Sequence, residues 1–335
     1  MRSRTYFGML VLAALLAGSP ADIQNLPAPP AEPALVVVPV TVKTADGEFL
    51  YELRREDFRI LEDDVEQEIA LFSAEPRPLK AVVLLDNALR PRQAEMVQQS
   101  LGAIAGGFGP FDHVALASFE FSFRQESDFL SDNDRLYERL RALKLSAEAA
   151  ERGGSQTRPP RVDANPGAAP PPRRIGLLGG EGKNLHDAIY EAARLLQEPA
   201  AEQRKIILVI TDGAVSRESR MPFDHVLREL LHQGITVYAV GTNPGLLRGR
   251  AEVLERYAAR TGGEVFYAEN RAALESAYGR ITEQARYAYT LGYVPRKTDR
   301  TRDYHAIEVR VRRPNLTVLA REGYFLSGAA GSSAP

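Results

Sequence analysis

The stretch Leu79–Leu85 reads LKAVVLL and is followed at once by Asp86. A run that is almost continuously apolar predicts a strand buried on both faces, as in a parallel sheet. A second run of this kind, KIILVI, occupies Lys205–Ile210 and leads into Thr211-Asp212-Gly213. Sites in such sheets form beyond the carboxyl ends of the strands, where we expect both Asp86 and Asp212 to lie.

Helical and strand patterns alternate around these two runs. Apolar residues recur at helical spacing at Arg92–Ile104, Asp132–Leu143, Asn184–Leu196, Phe223–Gln233, Ala251–Arg260 and Arg271–Arg286. Further strand patterns lie between them at Val114–Phe121, Ile235–Val240 and Glu264–Tyr267. The alternation predicts an α/β domain over residues 78–286, with a doubly wound, mostly parallel sheet and helices on both faces.

Short strand patterns flank this domain on both sides, in residues 35–75 and 287–326. Pro39 predicts an edge position for the first strand, and we expect Tyr287, Tyr289 and Tyr293 to share one core-facing side of a later strand. Because neither flank is long enough for a core of its own, we expect them to pack together as one discontinuous antiparallel β subdomain. Two independent flaps on the α/β domain are the alternative.

The first 21 residues have the pattern of a signal peptide. Arg2 and Arg4 precede an apolar run at Phe7–Ala17, and the small residues Ser19 and Ala21 suit a cleavage site. An uncleaved anchor is the alternative, but the run is short for spanning a bilayer. We therefore expect an exported protein, periplasmic or secreted, with no transmembrane segment after cleavage.

Three further segments are expected to lie outside the folded domains. Residues 22–34 read as a Pro-rich spacer, residues 146–180 as a disordered insertion and residues 327–335 as a disordered tail. The insertion carries five arginines, which make either a solvated tether or a basic contact strip.

Composition excludes several function classes. The chain has no Cys, which excludes disulfides, Cys-ligated zinc and thiol catalysis. Its net charge of −2 gives no sequence-wide basic field, so we expect no nucleic-acid partner.

Catalytic motifs are also missing from the sequence. Gly182-Lys183 lacks the other features of a P-loop, because Leu177 and Asn184 stand where Gly and Ser or Thr are needed. The five His residues are scattered and are expected at the surface or at helix caps. The acidic run Glu62-Asp63-Asp64, with Glu66 and Glu68, is expected to be a solvated turn, and weak Ca²⁺ binding is the alternative. We therefore predict that the chain is not an enzyme.

Three features give the α/β region its resemblance to a known family. Asp86 ends a buried strand and is followed by a helix, Gly182–Ile189 reads GKNLHDAI, and Lys205–Gly213 reads KIILVITDG. With these, the region resembles a von Willebrand factor type A (VWA) domain, although the glycine of the second feature is one residue out of place. The resemblance implies the α/β fold predicted above.

Two segments in the flanks resemble a more specific group within this family. Leu53–Asp63 (LRREDFRILED) and Arg321–Tyr324 (REGY) are similar to segments of exported bacterial proteins first grouped from acidobacteria, the VWFA-related acidobacterial domain type. The whole resemblance extends over about residues 35–326.

The resemblance also implies the position of an ion site. The family commonly binds a divalent cation through D-x-S-x-S, a Thr and an Asp, and oxygen ligands of this kind suit hard cations. The matching positions here are Asp86, Ala88, Arg90, Lys183 and Asp212. Both Ser and the Thr are replaced, and these departures from the family's pattern predict a degenerate ion site with no metal cofactor.

Two carboxylates without a cation would repel each other. We hypothesise that Lys183, with help from Arg90, takes the place of the metal and pairs with Asp86 and Asp212. The alternatives are that both cationic side chains point to solvent, or that the carboxylates still hold Mg²⁺.

We expect an exported, non-enzymatic VWA protein that acts as a protein-binding or adhesion-type module, with a protein or cell-envelope component as partner. The alternatives are a Mg²⁺-dependent adhesion protein and a periplasmic structural or assembly factor. An enzyme would need a cleft with a nucleophile and a base, and the sequence offers no such pair.

Overall fold

A computed structural model describes residues 35–145, 183–198, 202–213, 219–242, 252–296 and 302–326. The segments expected to be the signal peptide, spacer, insertion and tail lie outside the described residues.

The central sheet is built around strand β5 (Leu79–Asp86), in which every residue is buried. It pairs in parallel with β6 on one side and with β8 on the other. The strand order is β10-β9-β8-β5-β6-β7, and only the β6–β7 pair is antiparallel. The other strands of this sheet are β6 (His113–Phe119), β7 (Phe123–Gln125), β8 (Arg204–Thr211), β9 (Thr236–Gly241) and β10 (Val265–Tyr267).

Helices cover both faces of this sheet because successive side chains of a strand point to opposite sides. Val83 and Leu85 share a core with helices α1 (Pro91–Gly106), α2 (Asn133–Ala142) and α6 (Arg271–Tyr287). Val82 and Leu84 share a second core with helices α3 (Leu185–Leu195), α4 (Phe223–Gln233) and α5 (Glu252–Thr261). The continuous apolar run of β5 thus follows from burial on two sides.

The two flanks form two antiparallel sheets. The first has the order β13-β1-β11-β4 and the second β14-β12-β2-β3. Their strands are β1 (Val36–Thr44), β2 (Phe58–Glu62), β3 (Val65–Gln67), β4 (Ile69–Ser73), β11 (Tyr289–Tyr293), β12 (Tyr304–Val311), β13 (Leu316–Ala320) and β14 (Gly323–Phe325). Val40, Ile60 and Leu291 meet in one core that draws on both sheets and on both ends of the chain. The flanks are therefore one discontinuous β subdomain.

The edge position predicted from Pro39 is wrong. Strand β1 lies inside its sheet, between β11 and β13. Pro39 is opposite Thr290 of β11, whereas the register with β13 runs from Val40 to Thr44. The missing N–H is tolerated because the ladder with β13 begins one residue after the proline.

The shared face predicted for three tyrosines is also only partly right. Tyr289 and Tyr293 are buried in the β subdomain core. Tyr287 instead ends helix α6 and is 43% exposed. The helix continues to the residue at which a strand was expected, so the alternation of a strand does not apply to Tyr287.

Two glycines provide a matched test of how closely α5 approaches the sheet. A Cβ on Gly263, just after α5, would lie 1.9 Å from the carbonyl oxygen of Val237 in β9. We expect Gly263→Ala to lower the free energy of unfolding by at least about 1–3 kcal/mol, because the backbone must move apart. Urea unfolding of the purified protein measures this.

Gly279→Ala is the control. This position lies inside α6, and a Cβ there would meet nothing within 4 Å. We expect a gain of about 0.4–1 kcal/mol from the reduced freedom of the unfolded chain. Equal stabilities of the two variants would contradict the close packing of α5 on β9.

Candidate functional site

The carboxyl edge of the central sheet brings two acidic residues and a lysine together. Asp86 is the last residue of β5, and Asp212 follows directly after β8. The two strands are parallel neighbours with Leu85 opposite Ile210, so their ends meet. Lys183 lies just before helix α3, whose first residue is Leu185.

Lys183 bridges the two carboxylates. Its Nζ donates to Asp86 Oδ2 at 2.7 Å and to Asp212 Oδ1 at 2.8 Å. The side chain of Lys183 is 8% exposed, that of Asp86 0% and that of Asp212 12%. Hydrogen bonds between charged partners that are shielded from water are the strong kind, so this ion pair ties three chain segments together.

Asp86 is also held by neutral donors. Its Oδ2 accepts from Thr211 Oγ1 at 2.6 Å, and its Oδ1 accepts from the backbone N–H of Ala88 at 2.9 Å. Burial raises the pKa of the Asp86 carboxyl, and the Lys183 ammonium and the Thr211 hydroxyl oppose this rise. The ammonium is therefore the main group that keeps a negative charge tolerable at this buried position.

The other two positions of the implied ion site play different parts. Ala88 offers only its backbone N–H. Arg90 is exposed at the residue before helix α1. The structure thus places Asp86, Lys183 and Asp212 in contact and leaves the Arg90 side chain at the surface.

Two further residues support the site. Thr211 is fully buried and links Asp86 to the backbone N–H of Gly213, which donates to its Oγ1 at 3.2 Å. Asp187 in the first turn of α3 accepts from the backbone N–H of Met221 at 2.8 Å and from Ser219 Oγ at 3.2 Å. Asp187 therefore fixes the segment before α4 to the helix that follows Lys183. Both residues stand inside the quoted motifs, but their partners could not be read from the sequence.

These side chains do not fit the divalent cation that the resemblance implies. The Nζ of Lys183 lies within hydrogen-bonding distance of both carboxylates, where a cation would have to bind them. An ammonium is a donor and cannot act as a ligand. In the described part of the chain, no group of three or more His, Cys, Asp or Glu side chains gathers at a point where a metal could bind.

A second buried polar cluster lies in the β subdomain, and it corrects two expectations. Glu62 is buried and accepts from the hydroxyls of Tyr293 at 2.6 Å and Tyr324 at 3.1 Å. The turn expected for the acidic run is present at Asp63-Asp64, where Asp64 is exposed, but it does not include Glu62. His305 is completely buried, with its Nδ1 2.8 Å from Asp63 Oδ2, so it is not a surface histidine. Pairing across the two flanks buries these groups.

Comparison with known proteins gives a family match for part of the chain. Residues 173–280 match the family model of the von Willebrand factor type A domain. No curated protein matches the chain at a significant level.

Several solved structures are similar to this chain. Proximal thread matrix protein 1 from the mussel byssus has 12% identity and a TM-score of 0.45, with 63% of this chain and 48% of that protein covered. This chain thus spans less than half of the mussel protein. BatB from Bacteroides thetaiotaomicron has 16% identity and a TM-score of 0.42, with 62% and 98% covered. A von Willebrand factor type A protein from Catenulispora acidiphila has 12% identity and a TM-score of 0.45, with 80% and 62% covered.

The predicted fold class is confirmed. The chain has a VWA-like α/β fold with a mostly parallel central sheet and separate antiparallel sheets. The acidobacterial subtype stays a prediction.

Replacing Lys183 tests how much the buried carboxylate depends on it. Lys183→Met removes the ammonium and keeps an unbranched side chain of similar length. We expect a loss of about 3–5 kcal/mol in the free energy of unfolding, because Asp86 is left as an unpaired buried charge. Urea unfolding at pH 7 measures the loss, and Lys144→Met, at an exposed position, is the control.

The pH dependence of the free energy of unfolding distinguishes the loss of a charge partner for Asp86 from a loss of side-chain packing. Without the ammonium the pKa of Asp86 rises further, so the folded variant takes up a proton at a higher pH than the wild type. The deficit should be largest at neutral pH and shrink as the pH falls through that pKa. Adding Asp86→Asn should recover part of the loss at pH 7. A deficit that is the same at every pH would contradict this account.

Proposed function

We propose that this chain is a non-enzymatic VWA protein that binds a protein or cell-envelope partner without a metal ion. The bridge from Lys183 to Asp86 and Asp212 is the observation that carries the proposal. In a metal-dependent A domain, a carboxylate from the partner completes the coordination of the cation. Here the positive charge belongs to the chain, is buried and is shared by two carboxylates, so it offers no open coordination position.

The surface beside this ion pair supports a role in protein binding. The Phe121 ring is 51% exposed in the loop after β6, and Arg90 is exposed in the loop after β5. Asn184, next to Lys183, donates from Nδ2 to the carbonyl oxygen of Phe121 at 2.8 Å. Exposed aromatic rings and arginines are the side chains that contribute most to protein interfaces. A partner would therefore contact the rim of the site rather than the buried charges.

We further propose that the chain is exported and belongs to a bacterial subtype of the family. The signal-peptide pattern of residues 1–21 supports a periplasmic or secreted protein, and the LRREDFRILED and REGY segments support the VWFA-related acidobacterial type. Among the described residues, no helix has the length and the apolar character needed to cross a membrane.

Calorimetric titration of the purified chain with Mg²⁺, Mn²⁺ and Ca²⁺ tests the metal-free site. We expect no binding heat and no rise in melting temperature, because Lys183 competes for both carboxylates. Lys183→Thr alone should not bind these ions, since Ala88 and Arg90 remain. The triple variant Ala88→Ser, Arg90→Ser, Lys183→Thr restores the oxygen ligands and should gain binding.

Micromolar metal binding by the wild type, lost in Asp212→Ala, would overturn the proposal and favour the Mg²⁺-dependent adhesion protein. Tight Mg²⁺ binding by Lys183→Thr alone would also contradict it.

Affinity capture tests which surface binds the partner. The purified chain is used as bait in an extract of the source organism, with and without EDTA. We expect EDTA to leave the captured partner unchanged and Arg90→Glu to release it. Arg139→Glu, an exposed change on helix α2, is the control.

Loss of the partner in EDTA would indicate metal-dependent adhesion. The structural or assembly role would be indicated instead if Arg90→Glu still captured the partner and changes to exposed residues of the β subdomain abolished the capture.

A further inference from the structure

A cavity of about 340 Å³ lies at the opposite end of the central sheet. Its wall includes the first residues of β8 and β9 together with β1 of the β subdomain and the end of helix α6. At about 3.3 Å per residue, the length of β8 places it roughly 23 Å from the Lys183 ion pair. The cavity is therefore separate from the site described above, and its volume is in the range of small-molecule sites.

Arg204 is one of the residues that line this cavity, and its buried guanidinium is incompletely paired. The residue is 8% exposed. Its Nη2 donates to Thr290 Oγ1 at 3.0 Å and to the carbonyl oxygen of Ala288. Its Nε and Nη1 are buried and make no hydrogen bond in the described part of the chain. Burial lowers the pKa of Arg204 to about 10, so the side chain is still charged at neutral pH.

The described residues of the cavity wall include no acid that could balance the charge of Arg204. Two further cationic residues, Arg77 and Lys205, also line it, and none of the described lining residues is Asp or Glu. Burial is the main cause of the lowered pKa of Arg204, and the Arg77 guanidinium adds to it because like charges repel. Buried charges are normally paired, because an isolated one is costly to remove from water. The wall therefore lacks a negative group.

The apolar part of the wall restricts the class of ligand that would fit the cavity. Val37 and Pro39 of β1 give the cavity apolar surface beside the three cationic residues. An inorganic anion would leave this apolar surface without a partner. A carboxylate on an apolar body would satisfy both parts of the wall.

We propose that this cavity binds a small organic carboxylate, with its charge beside Arg77 and Lys205, near the buried Arg204, and its apolar body against β1. The ligand would contact both the α/β domain and the β subdomain, since Lys205 of β8 and Val37 of β1 line the same cavity. Binding would therefore stabilise the junction between them. The site does not depend on the metal-free ion pair, so failure of either proposal leaves the other intact.

The experiment uses benzoate as the probe and benzamide as its neutral counterpart of the same shape. Binding to the purified full chain is measured by ligand-observed NMR titration and by the shift in melting temperature. We expect benzoate to bind about tenfold more tightly than benzamide, because only benzoate supplies the missing charge. Inorganic phosphate is titrated in parallel.

Variants of the wall assign the binding to this cavity. Arg204 also supports the backbone at Ala288, so its replacement risks misfolding, and Arg77→Gln and Lys205→Gln are used instead. Each should weaken benzoate by about threefold or more without changing benzamide. Lys144→Gln removes an exposed charge elsewhere and should leave both unchanged.

Four outcomes would overturn the proposal. Equal affinity for benzoate and benzamide would show an apolar cavity without charge recognition. Phosphate binding tighter than benzoate binding would show a site for inorganic anions. Benzoate binding that is unchanged in both variants would lie outside this cavity. No benzoate binding at millimolar concentration would show that the cavity does not take a carboxylate.

Discussion

A negative charge at the buried end of a central strand must be compensated, and the carboxyl edge of this sheet is organised around that requirement. Asp86 ends a strand that is covered on both faces, so water cannot solvate its carboxylate. Lys183, from the segment before α3, supplies the compensation and also engages Asp212 beyond β8. Asp187 then fixes the segment before α4 to the same helix. The lysine thus ties the ends of two strands to the segment before helix α3.

The two ends of the sheet differ in how completely their charges are satisfied. At the carboxyl edge, one ammonium is shared by two carboxylates, and neutral donors complete the shell of Asp86. At the other end, three cationic residues line a cavity whose described wall contains no acid. A closed network favours a fixed structure, whereas an open one favours a ligand of opposite charge. The two ends of β8 therefore differ: charges are paired at its carboxyl end, and cationic side chains lack an acidic partner at its start.

The sequence was sufficient for those parts of the fold that depend on local pattern. The apolar runs of β5 and β8 and the helical spacing between them predict the α/β domain, because burial on both faces leaves a direct record in each segment. The motif positions also identified Asp86, Lys183 and Asp212 as neighbours.

Contacts between distant segments could not be predicted in the same way. Glu62 and His305 look like surface residues in their own segments and are buried only because β2 pairs with β12. Pro39 signalled an edge, but the register with β13 decides how it is tolerated. Arg204 stands one residue before the apolar run of β8. Nothing in the sequence shows that two of its guanidinium nitrogens lack hydrogen-bond partners. Thr211 and Asp187 lie within recognised motifs, yet their roles depend on loops that meet only in three dimensions.

The pairing of β1 with β11 also has a consequence for the order of folding. Val36 and Tyr293 are opposite each other although about 250 positions separate them along the chain, a distance that makes such contacts slow to form. During synthesis, β1 has no strand partner until β11 and β13 have emerged. The strands of the α/β domain pair with strands that are closer in sequence, so this domain can form its contacts earlier. The β subdomain is thus the last part of the molecule to close, and a nascent chain halted before β11 would expose an unpaired apolar strand.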